Sequence, residues 1–215
     1  TGYNMNERWS LWQRNVIDRF KNMPDEEIKK ELQRTAHPVA VCMEQWQGDF
    51  NISTLIRNAN AFNVEKVFYF GRRRYDRRGT VGTHNYTDIQ FLDGGYDQLE
   101  TLKNQYTFVG VDNNVSQKTF KLGEFDWNTL SKPPLMIFGE EGTGLTQQAI
   151  QMCHILLEIP QYGSVRSLNV GTSSGILLYD YVNYLKNSTN QHMLRTMKYD
   201  ETCSGQNESC QLTLL

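Results

Sequence analysis

The sequence is poor in cysteine and lacks the motifs of several common enzyme classes. Its 215 residues include four cysteines, but no Cys-x-x-Cys pair occurs and no histidine or cysteine group has the spacing of a zinc site. This usage is typical of a reducing compartment, and we expect no bound metal. The P-loop, the Gly-x-Gly-x-x-Gly fingerprint and the Gly-x-Ser-x-Gly elbow are also missing. Their absence argues against P-loop NTPases, ordinary dinucleotide-binding enzymes and α/β-hydrolases.

Long apolar runs are missing as well. No stretch reaches the roughly 20 apolar residues of a membrane-spanning helix, and the first ten residues show no apolar core of a secretory signal. We therefore expect a soluble, cytoplasmic protein with no membrane partner. Positive charge is not in excess either, since the net charge is -2. Any binding of nucleic acid must then depend on a local basic patch.

Short apolar runs alternate with segments of helical periodicity, which predicts an α/β fold with a mostly parallel sheet flanked by helices. The predicted strands lie at 38–43, 64–70, 89–92, 106–111, 135–138 and 154–159. The predicted helices of this part lie at 51–62, 95–105 and 168–185. Asn51 is a predicted N-cap, and Asn63 can adopt the left-handed conformation at a helix C-terminus.

The chain divides into three parts. Residues 1–36 are predicted to form an N-terminal helical extension, in which Pro24 separates two helices. Residues 37–186 contain the alternating strands and helices of a single domain. Residues 187–215 are a polar tail rich in Ser, Thr, Asn and Gln.

An arginine-rich segment follows the second predicted strand. No run of acidic residues balances its arginines, and Tyr75 is interleaved with them. The basic residues are Arg72, Arg73, Arg74, Arg77 and Arg78, followed by His84. The segment is either a solvated charged loop or a contact for phosphate groups. The planar, forked guanidinium binds phosphate with two hydrogen bonds, and we therefore predict contact with the backbone of a nucleic acid.

Polar turns at strand ends are candidate ligand sites, because ligands of open α/β sheets bind beyond the carboxyl ends of the strands. The turn Gly139–Gly144 has three glycines, which let the backbone approach a ligand closely. Asp112 follows another predicted strand, where it either binds ribose hydroxyls or simply forms a turn. Neither segment identifies a function by itself.

Three motifs in a fixed order are more specific. They are NISTLIRNANAF at 51–62, IFGEEGTGL at 137–145, and IP followed by SLNV between 159 and 170. Together they resemble the Asn…Arg…Ala-Phe helix, the Gly-x-Glu-x-x-Gly turn and the Ile-Pro…Ser-Leu-Asn segment of the TrmH-type branch of the SPOUT superfamily. Members of this branch are RNA ribose 2′-O-methyltransferases that use S-adenosylmethionine. The resemblance extends over residues 38–185.

The resemblance implies a deep trefoil knot at the C-terminal end of the domain, an exception to the rule that protein chains are not knotted. It also implies S-adenosylmethionine as the cofactor, and a homodimer whose active site joins the knot of one subunit to Arg57 of the other. Backbone groups in the loops near five positions would bind the cofactor. These positions are Val111, Gly139, Gly144, Ile159 and Leu168.

The resemblance also assigns roles to five residues. Arg57 matches the catalytic arginine that helps to deprotonate the ribose hydroxyl, and Asn51 matches the asparagine that positions its helix. Glu141 matches the glutamate of the turn, and Ser167 and Asn169 match the pair beside the methyl group. A guanidinium with a pKa above about 12 is a poor base. We therefore expect Arg57 to orient the hydroxyl and stabilise the developing alkoxide, with a substrate phosphate accepting the proton.

Each of these residues, taken alone, also has a purely structural explanation, and the joint pattern favours function. Three departures from the family are evident. Asn63 stands where the family usually has glycine, and residues 171–174 are more polar than the family's alanine-rich helix start. The third is the C-terminal tail, which is more polar than the docking helix common in the family. The second departure leaves the detailed geometry of the cofactor site open.

The predicted function is S-adenosylmethionine-dependent methylation of a ribose 2′-hydroxyl in RNA. A tRNA substrate is favoured over rRNA, because the chain has only a short helical extension and no separate RNA-binding domain. Three alternatives stay open: an rRNA 2′-O-methyltransferase, a non-catalytic knotted RNA-binding protein, and a base methyltransferase of the tRNA guanine-N1 kind.

Overall fold

A parallel seven-stranded sheet forms the centre of the structure, a computed structural model that describes residues 15–47 and 50–188. The strands are β1 (His37–Gln45), β2 (Val64–Gly71), β3 (Ile89–Phe91), β4 (Thr107–Val111), β5 (Phe120–Lys121), β6 (Pro134–Phe138) and β7 (Ile155–Glu158). Their order in the sheet is β3-β2-β1-β6-β4-β7-β5, and each neighbouring pair is parallel. The prediction of an α/β fold with a mostly parallel sheet is confirmed.

Helices cover both faces of this sheet. They are α1 (Asp25–Arg34), α2 (Asn51–Ala61), α3 (Gly95–Glu100), α4 (Gln147–Met152) and α5 (Val170–Asn187). Short 3-10 helices lie at Asp18–Phe20, Arg77–Thr80, Thr83–Asn85, Thr101–Asn104 and Trp127–Thr129. None of the helices in the described ranges is long and apolar enough to cross a membrane.

Alternate side chains of the strands enter two hydrophobic cores. Val41 and Met43 of β1 lie in the core that includes residues of α2 and α5. Ala40 and Cys42 lie in the core that includes residues of α3 and α4. Because side chains of a strand point alternately to opposite faces, a continuous apolar strand is the expected pattern for a sheet that is covered on both sides. Burial of each large aliphatic side chain contributes about 1.5–3 kcal/mol.

The N-terminal region differs from the prediction. The first predicted helix falls mainly on residues 1–14, which lie outside the described residues. Residues 15–17 are not helical, and only Asp18–Phe20 forms a 3-10 turn. The reason is local packing, since Phe20 lies in a small cluster with Ile28 and Tyr86. The second predicted helix is confirmed as α1, which follows Pro24 directly.

Of the two predictions made for the ends of α2, one is wrong and the other is confirmed. The prediction of Asn51 as an N-cap is wrong, because α2 begins at Asn51 and Phe50 occupies the N-cap without a side-chain hydrogen bond to the helix. The Asn51 side chain instead makes tertiary contacts, described below. Asn63 adopts a φ of 48°, so the predicted left-handed residue after the helix is confirmed.

His37 makes the stability of the fold sensitive to mild acid. Its Nδ1–H donates to the carbonyl of Phe62 at 2.7 Å, whereas the buried Nε2 has no hydrogen-bond partner among the described residues. Burial, and secondarily the charge of Lys186, lower the pKa of His37 below its usual value. Below about pH 6.5 the unfolded chain therefore binds a proton that the folded protein rejects.

We predict that the free energy of unfolding falls as the pH decreases from 7 to 5.5, and falls less in His37→Asn, whose amide can replace the Nδ1–H donor. The difference in slope should not exceed about 1.4 kcal/mol per pH unit. Urea denaturation of both proteins at several pH values measures it. Equal slopes would show that His37 titrates normally in the folded protein.

Candidate active site

The carboxyl ends of β1, β4, β6 and β7 meet at one edge of the sheet, and a turn or loop follows each of them there. The turn after β6 contains Gly139–Gly144, in which the Gly144 N–H donates to the Glu140 carbonyl at 2.9 Å. A Cβ at residue 139 would lie inside van der Waals contact of the Gly144 backbone. Gly144 itself has a φ of +69°, and a Cβ there would overlap the Asp112 carboxylate. The turn is therefore a compact loop that only glycine permits at these two positions.

Two carboxylates fix this turn to the neighbouring strand ends. The Glu140 side chain is only 5% exposed and accepts hydrogen bonds from the backbone N–H groups of Trp46, at 2.5 Å, and Gln47. The Asp112 carboxylate accepts from the Leu145 N–H at 2.9 Å. Carboxylates that accept backbone N–H bonds form strong, charge-assisted interactions. Of the two alternatives for Asp112, the structure shows the turn, since its other oxygen accepts from the Asn114 N–H at 2.8 Å.

A third carboxylate, Glu44, lies fully buried at the end of β1. It accepts hydrogen bonds from the Thr146 N–H at 2.9 Å, the Thr146 hydroxyl at 2.6 Å and the Tyr96 hydroxyl at 2.6 Å. Burial and this hydrogen bond raise the pKa of Tyr96 to about 12. Neither Glu44 nor Glu140 is among the predicted site residues, although a charged residue within two positions of the end of an apolar run is a usable signal.

Three of the five predicted catalytic residues meet at the same edge. The Asn51 amide donates to the Glu141 carboxylate at 3.2 Å. The Asn169 amide donates to the Asn51 side-chain oxygen at 2.9 Å and lies 3.4 Å from the same Glu141 oxygen. We call these three residues the amide–carboxylate group. They come from the start of α2, the turn after β6 and the N-cap of α5, so three separate motifs of the sequence form one cluster.

Asn169 also caps helix α5, because its side-chain oxygen accepts from the Gly171 N–H at 2.7 Å. The helix begins at Val170, two residues later than predicted. The polar start of this helix has a packing reason. A Cβ at residue 171 would overlap Thr54 of α2, and the Asn58 amide donates to the Gly171 carbonyl at 2.6 Å and to the Ser174 hydroxyl at 2.9 Å. Small residues therefore let α2 and α5 approach closely.

The other two predicted catalytic residues lie apart from this group. Arg57 is exposed on α2, and six residues of helix place it about 9 Å further along the axis than Asn51. Ser167 is exposed in the turn between β7 and α5. Among the described residues, neither side chain makes a hydrogen bond to the amide–carboxylate group.

The predicted cofactor positions surround the glycine turn. Val111 is the last residue of β4, and Leu168 is half-buried against the α2/α5 core. The backbone of Ile159 pairs with a side chain, since the Asn113 amide donates to its carbonyl at 2.6 Å and its N–H donates to the Asn113 oxygen at 3.1 Å. Asn113 thus forms hydrogen bonds with both backbone polar groups of Ile159, which is a predicted cofactor contact. The sequence alone did not indicate this pairing.

Among the described residues of this edge, Gln161 has two buried polar atoms without a hydrogen-bond partner, and Gln45 has one, its Oε1. The two atoms of Gln161 are its amide nitrogen and oxygen. An amide in this condition costs free energy unless a ligand or water completes its hydrogen bonds. It lies two residues after Ile159, in the turn that leads to Ser167.

The predicted basic patch forms the rim of this edge on the β2 side. All five arginines are exposed. The segment that carries them is held against β1 and α2 through its backbone. The Gln45 amide donates to the carbonyls of Arg72 at 2.8 Å and Arg74 at 3.1 Å, and the Ser53 hydroxyl donates to the carbonyl of Asp76. The side chains are consequently presented to solvent from a fixed backbone.

One arginine does have an acidic partner, which corrects the prediction of an unbalanced run. Asp76 lies within the segment, and its Oδ2 is 2.5 Å from Nη2 of Arg78. For the described residues, no ion pair involves the other four: Arg72, Arg73, Arg74 and Arg77. The ring of His84 shares a hydrogen bond of 2.5 Å with the Thr80 hydroxyl. Partial burial and the nearby Arg77 lower the pKa of His84, which favours the neutral ring.

Metal ligation has no support in the described ranges, where no group of three or more His, Cys, Asp or Glu side chains could hold an ion. The site instead combines hydrogen-bonding amides, a glycine turn and an adjoining cationic rim. Such an arrangement can bind a polar small molecule at the strand ends and a phosphate-bearing polymer beside it.

Comparison with known proteins gives one family. A model described as the SpoU rRNA Methylase family matches residues 38–179, which include every element from β1 to the first half of α5.

Individual relatives agree with this match. The tRNA (guanosine(18)-2′-O)-methyltransferase of Escherichia coli (strain K12) is 29% identical over 152 residues, which are 69% of this chain and 65% of that enzyme. The chain thus matches less than two thirds of the length of this relative. The TrmH/SpoU tRNA modifying enzyme of A. aeolicus superposes with a TM-score of 0.65 and 22% identity, over 83% of this chain and 91% of that one. The AdoMet-bound rRNA methyltransferase of Sinorhizobium meliloti superposes with a TM-score of 0.60 and 23% identity, over 71% of this chain and 60% of that one.

Asn169 allows helix capping to be separated from the amide–carboxylate group. We predict that Asn169→Ala lowers the free energy of unfolding by about 1 kcal/mol through loss of the cap. Asn169→Ser retains a capping oxygen but loses the amide that reaches Asn51, so it should recover most of this stability. Urea denaturation at pH 7 measures both variants. If Asn169→Ser is as unstable as Asn169→Ala, the hydrogen bonds to Asn51 and Glu141 dominate instead.

Proposed function

The chain belongs to the SpoU rRNA Methylase family, and on this premise we propose that it methylates a ribose 2′-hydroxyl in RNA with S-adenosylmethionine as the methyl donor. The observation that carries the proposal is the amide–carboxylate group. Asn51, Glu141 and Asn169 lie far apart in sequence, yet they form one hydrogen-bonded cluster at the edge where the turns after β4, β6 and β7 meet. The relatives from E. coli and S. meliloti are a tRNA and an rRNA methyltransferase, and the latter binds AdoMet.

The residues at the strand ends fit this cofactor. Asn113 presents a donor and an acceptor side by side to the backbone of Ile159. The edge of an adenine presents the same pair, its amino group and a ring nitrogen, so an adenine could replace the Asn113 amide there. The unpartnered amide of Gln161 and the glycine backbone at 139 and 144 offer further polar groups beside it. When bound, the cofactor supplies a methyl group that its sulfonium already activates.

The protein must then align the ribose hydroxyl and assist its deprotonation. We assign alignment to Arg57, whose guanidinium donates hydrogen bonds but is too basic to accept a proton. It would stabilise the negative charge that develops on the 2′-oxygen, while a phosphate of the substrate accepts the proton. Asn51 and Asn169 would position the helices that carry the reacting groups, with Ser167 and Glu141 at the margin of the site.

A homodimer would supply the arginine that each chain lacks at its own amide–carboxylate group. Arg57 is exposed and lies outside that group. Helix α5 carries an exposed stripe at residues 172, 176, 179 and 183, in which Tyr179 is 64% and Ile176 37% exposed. Such a stripe at helical spacing is suited to a two-fold contact with a second copy. We propose that this contact brings Arg57 of one subunit to the cofactor site of the other.

The trefoil knot and the division of the chain belong to the same proposal. The knot would involve the segment from β6 to α5, which contains the glycine turn and Asn169. Residues 37–186 would form the methyltransferase domain, with 1–36 and 187–215 as appendages. A cytoplasmic location accords with an RNA substrate. The four arginines that form no ion pair within the described residues would bind RNA phosphates together with Arg78, and His84 would act as a hydrogen-bonding group.

We favour tRNA as the substrate, because the relative with the highest identity reported above acts on tRNA. rRNA is the second candidate, since the family and the S. meliloti relative carry that description. The substrate can be identified by incubating the protein with S-adenosylmethionine and either tRNA or rRNA from cells that lack the gene. Nuclease digestion and mass spectrometry then locate the methyl group. A methylated base instead of a 2′-O-methyl nucleoside, or no product, would contradict the proposed reaction.

The shared site makes a specific prediction about mixed subunits. Arg57→Ala and Asn169→Ala should each lose nearly all methyl transfer. Mixed and reassociated, they should recover about a quarter of the wild-type rate, because half of the dimers are then mixed and each has one intact site. Arg57→Ala mixed with Arg57→Lys is the control, since neither partner supplies the arginine. Absence of any recovery would place Arg57 and Asn169 in the same subunit's site, or outside it.

Gln161 provides a test of the cofactor site that does not depend on turnover. We predict that Gln161→Met raises the free energy of unfolding of the cofactor-free protein, because it removes two buried polar groups that lack hydrogen-bond partners. Such an unsatisfied group costs about 1–3 kcal/mol. The measured change also includes the altered packing of the side chain. The same change should weaken binding of S-adenosylmethionine. Calorimetry gives the affinity, and thermal melts with and without the cofactor give the stability. Gln148→Met, an exposed position on α4, is the control. Higher stability with unchanged affinity would show that Gln161 does not contact the cofactor.

A further inference from the structure

We propose that Trp46 is a stacking surface for a nucleobase of the RNA substrate, at or next to the methylated nucleotide. The inference rests on the proposed function and adds a residue that reads the substrate. Trp46 follows β1 directly, at the edge where the candidate site lies. Its side chain is 46% exposed, although an indole is among the most apolar groups that a protein can present.

The indole is held in place on the side that faces the protein. Its ring lies 5.8 Å from that of Phe70 at 83° and 6.2 Å from that of Tyr96 at 38°. Gly71 lies beneath it, since a Cβ at that residue would be 3.0 Å from Cε3 of Trp46. An exposed ring that is already ordered loses little conformational entropy when a ligand stacks on it.

The guanidinium of Arg72 is held against the backbone segment that carries the ring. The Arg72 N–H donates to the Gln45 carbonyl at 2.5 Å, and its Nη1 donates to the Gln47 carbonyl at 3.0 Å. Arg72 is thus bound to the residues on both sides of Trp46. Its guanidinium is exposed and retains other N–H donors, and no ion pair engages it among the described residues.

An aromatic face next to a guanidinium is the combination by which proteins bind single-stranded nucleic acid. The base stacks on the ring, and the phosphate of the same or the next nucleotide binds the cation. A docking peptide would have no need of this cationic rim, whereas an RNA strand matches it in both charge and apolar surface.

Trp46 also has a direct connection to the reaction site. Its backbone N–H donates to the Glu140 carboxylate at 2.5 Å, and Glu140 precedes Glu141 of the amide–carboxylate group. A base on Trp46 would therefore belong to a nucleotide close to the amide–carboxylate group. Phe50 and Tyr162 are also exposed near these strand ends, at 57% and 96%. Of the three, Trp46 is the one whose ring packs against two other aromatic rings in the described part of the chain. Phe120 is 44% exposed but lies on β5, the outer strand on the far side of the sheet from β2 and the arginine segment.

The test compares two RNA probes that differ only in their bases. One is a twelve-nucleotide oligoadenylate, and the other is an abasic strand of equal length, so that both carry the same phosphates. Fluorescence anisotropy measures their affinities for the wild type, Trp46→Leu, Trp46→Phe, Arg72→Gln and Phe120→Leu. The wild type should bind oligoadenylate more tightly than the abasic strand.

Trp46→Leu should weaken oligoadenylate binding by about 5- to 100-fold and leave abasic binding unchanged. Trp46→Phe keeps an aromatic face and should retain most of the affinity, which also controls for misfolding. Arg72→Gln should weaken both probes and lower the salt dependence by about 0.7 in slope. Phe120→Leu should bind both probes as the wild type does.

Two outcomes would overturn the inference. One is equal binding of the two probes by the wild type, and the other is a loss in Trp46→Leu that is the same for both. Neither affects the proposed function, whose test is the 2′-O-methyl nucleoside. Conversely, absence of that nucleoside with base-dependent binding intact would reject the reaction and leave Trp46 as a residue of a non-catalytic RNA-binding protein.

Discussion

The candidate site depends on the binding of one tight turn by carboxylates from three strand ends. The turn after β6 has too few regular hydrogen bonds of its own to keep its shape. Glu140 fixes it to the backbone after β1, Asp112 fixes its end to the turn after β4, and Glu44 accepts from Thr146 beyond it. Each carboxylate replaces a hydrogen bond that strand pairing no longer supplies once the strands have ended. The strand ends thus become a rigid frame around the glycine backbone.

The second constraint is the close approach of α2 and α5. Gly171 and Ser174 give α5 a face without bulk, and Asn58 fills the gap with hydrogen bonds to both. This approach brings the N-cap residue Asn169 to the first residue of α2, Asn51. A large residue at position 171 would separate the helices and therefore separate the amide–carboxylate group, even though residue 171 makes no contact with Glu141. The polar helix start that departs from the family pattern is thus part of the geometry of the site.

Sequence reasoning predicted the parallel sheet, its main strands and the helix between β1 and β2, because continuous apolar strands and helical periodicity are local signals. It could not predict the contacts of single polar side chains, which depend on tertiary structure. Asn51 illustrates the difference, since it has the composition of an N-cap, but its amide finds partners from two distant segments. Asp76 is a second example, because a count of charges does not show that it pairs with Arg78. Asn113 is a third, because its turn propensity does not indicate the hydrogen bonds to Ile159. The motif resemblance brought Glu141 and Asn169 together as candidates, and only the fold shows them within hydrogen-bonding distance.

The edge of the sheet has two parts. One is the frame, whose polar groups are hydrogen-bonded within the protein. The other is a receptive surface, whose groups are available to a ligand. Glu44 and Glu140 of the frame are buried, Asp112 is half-buried, and all three accept hydrogen bonds from backbone N–H groups. They therefore have little capacity left for a ligand. The receptive groups are the opposite in character. In the described part of the chain, two buried atoms of Gln161 have no hydrogen-bond partner and four arginines form no ion pair, and Trp46 is 46% exposed. The two buried groups of Gln161 cost free energy until a ligand or water completes their hydrogen bonds, whereas the hydrated arginines and the exposed indole are free to bind a phosphate or a base. These features follow one another along one edge in the order cofactor turn, indole and arginine segment. A methyl donor bound at the turn would therefore lie beside an RNA strand bound along the indole and the arginines.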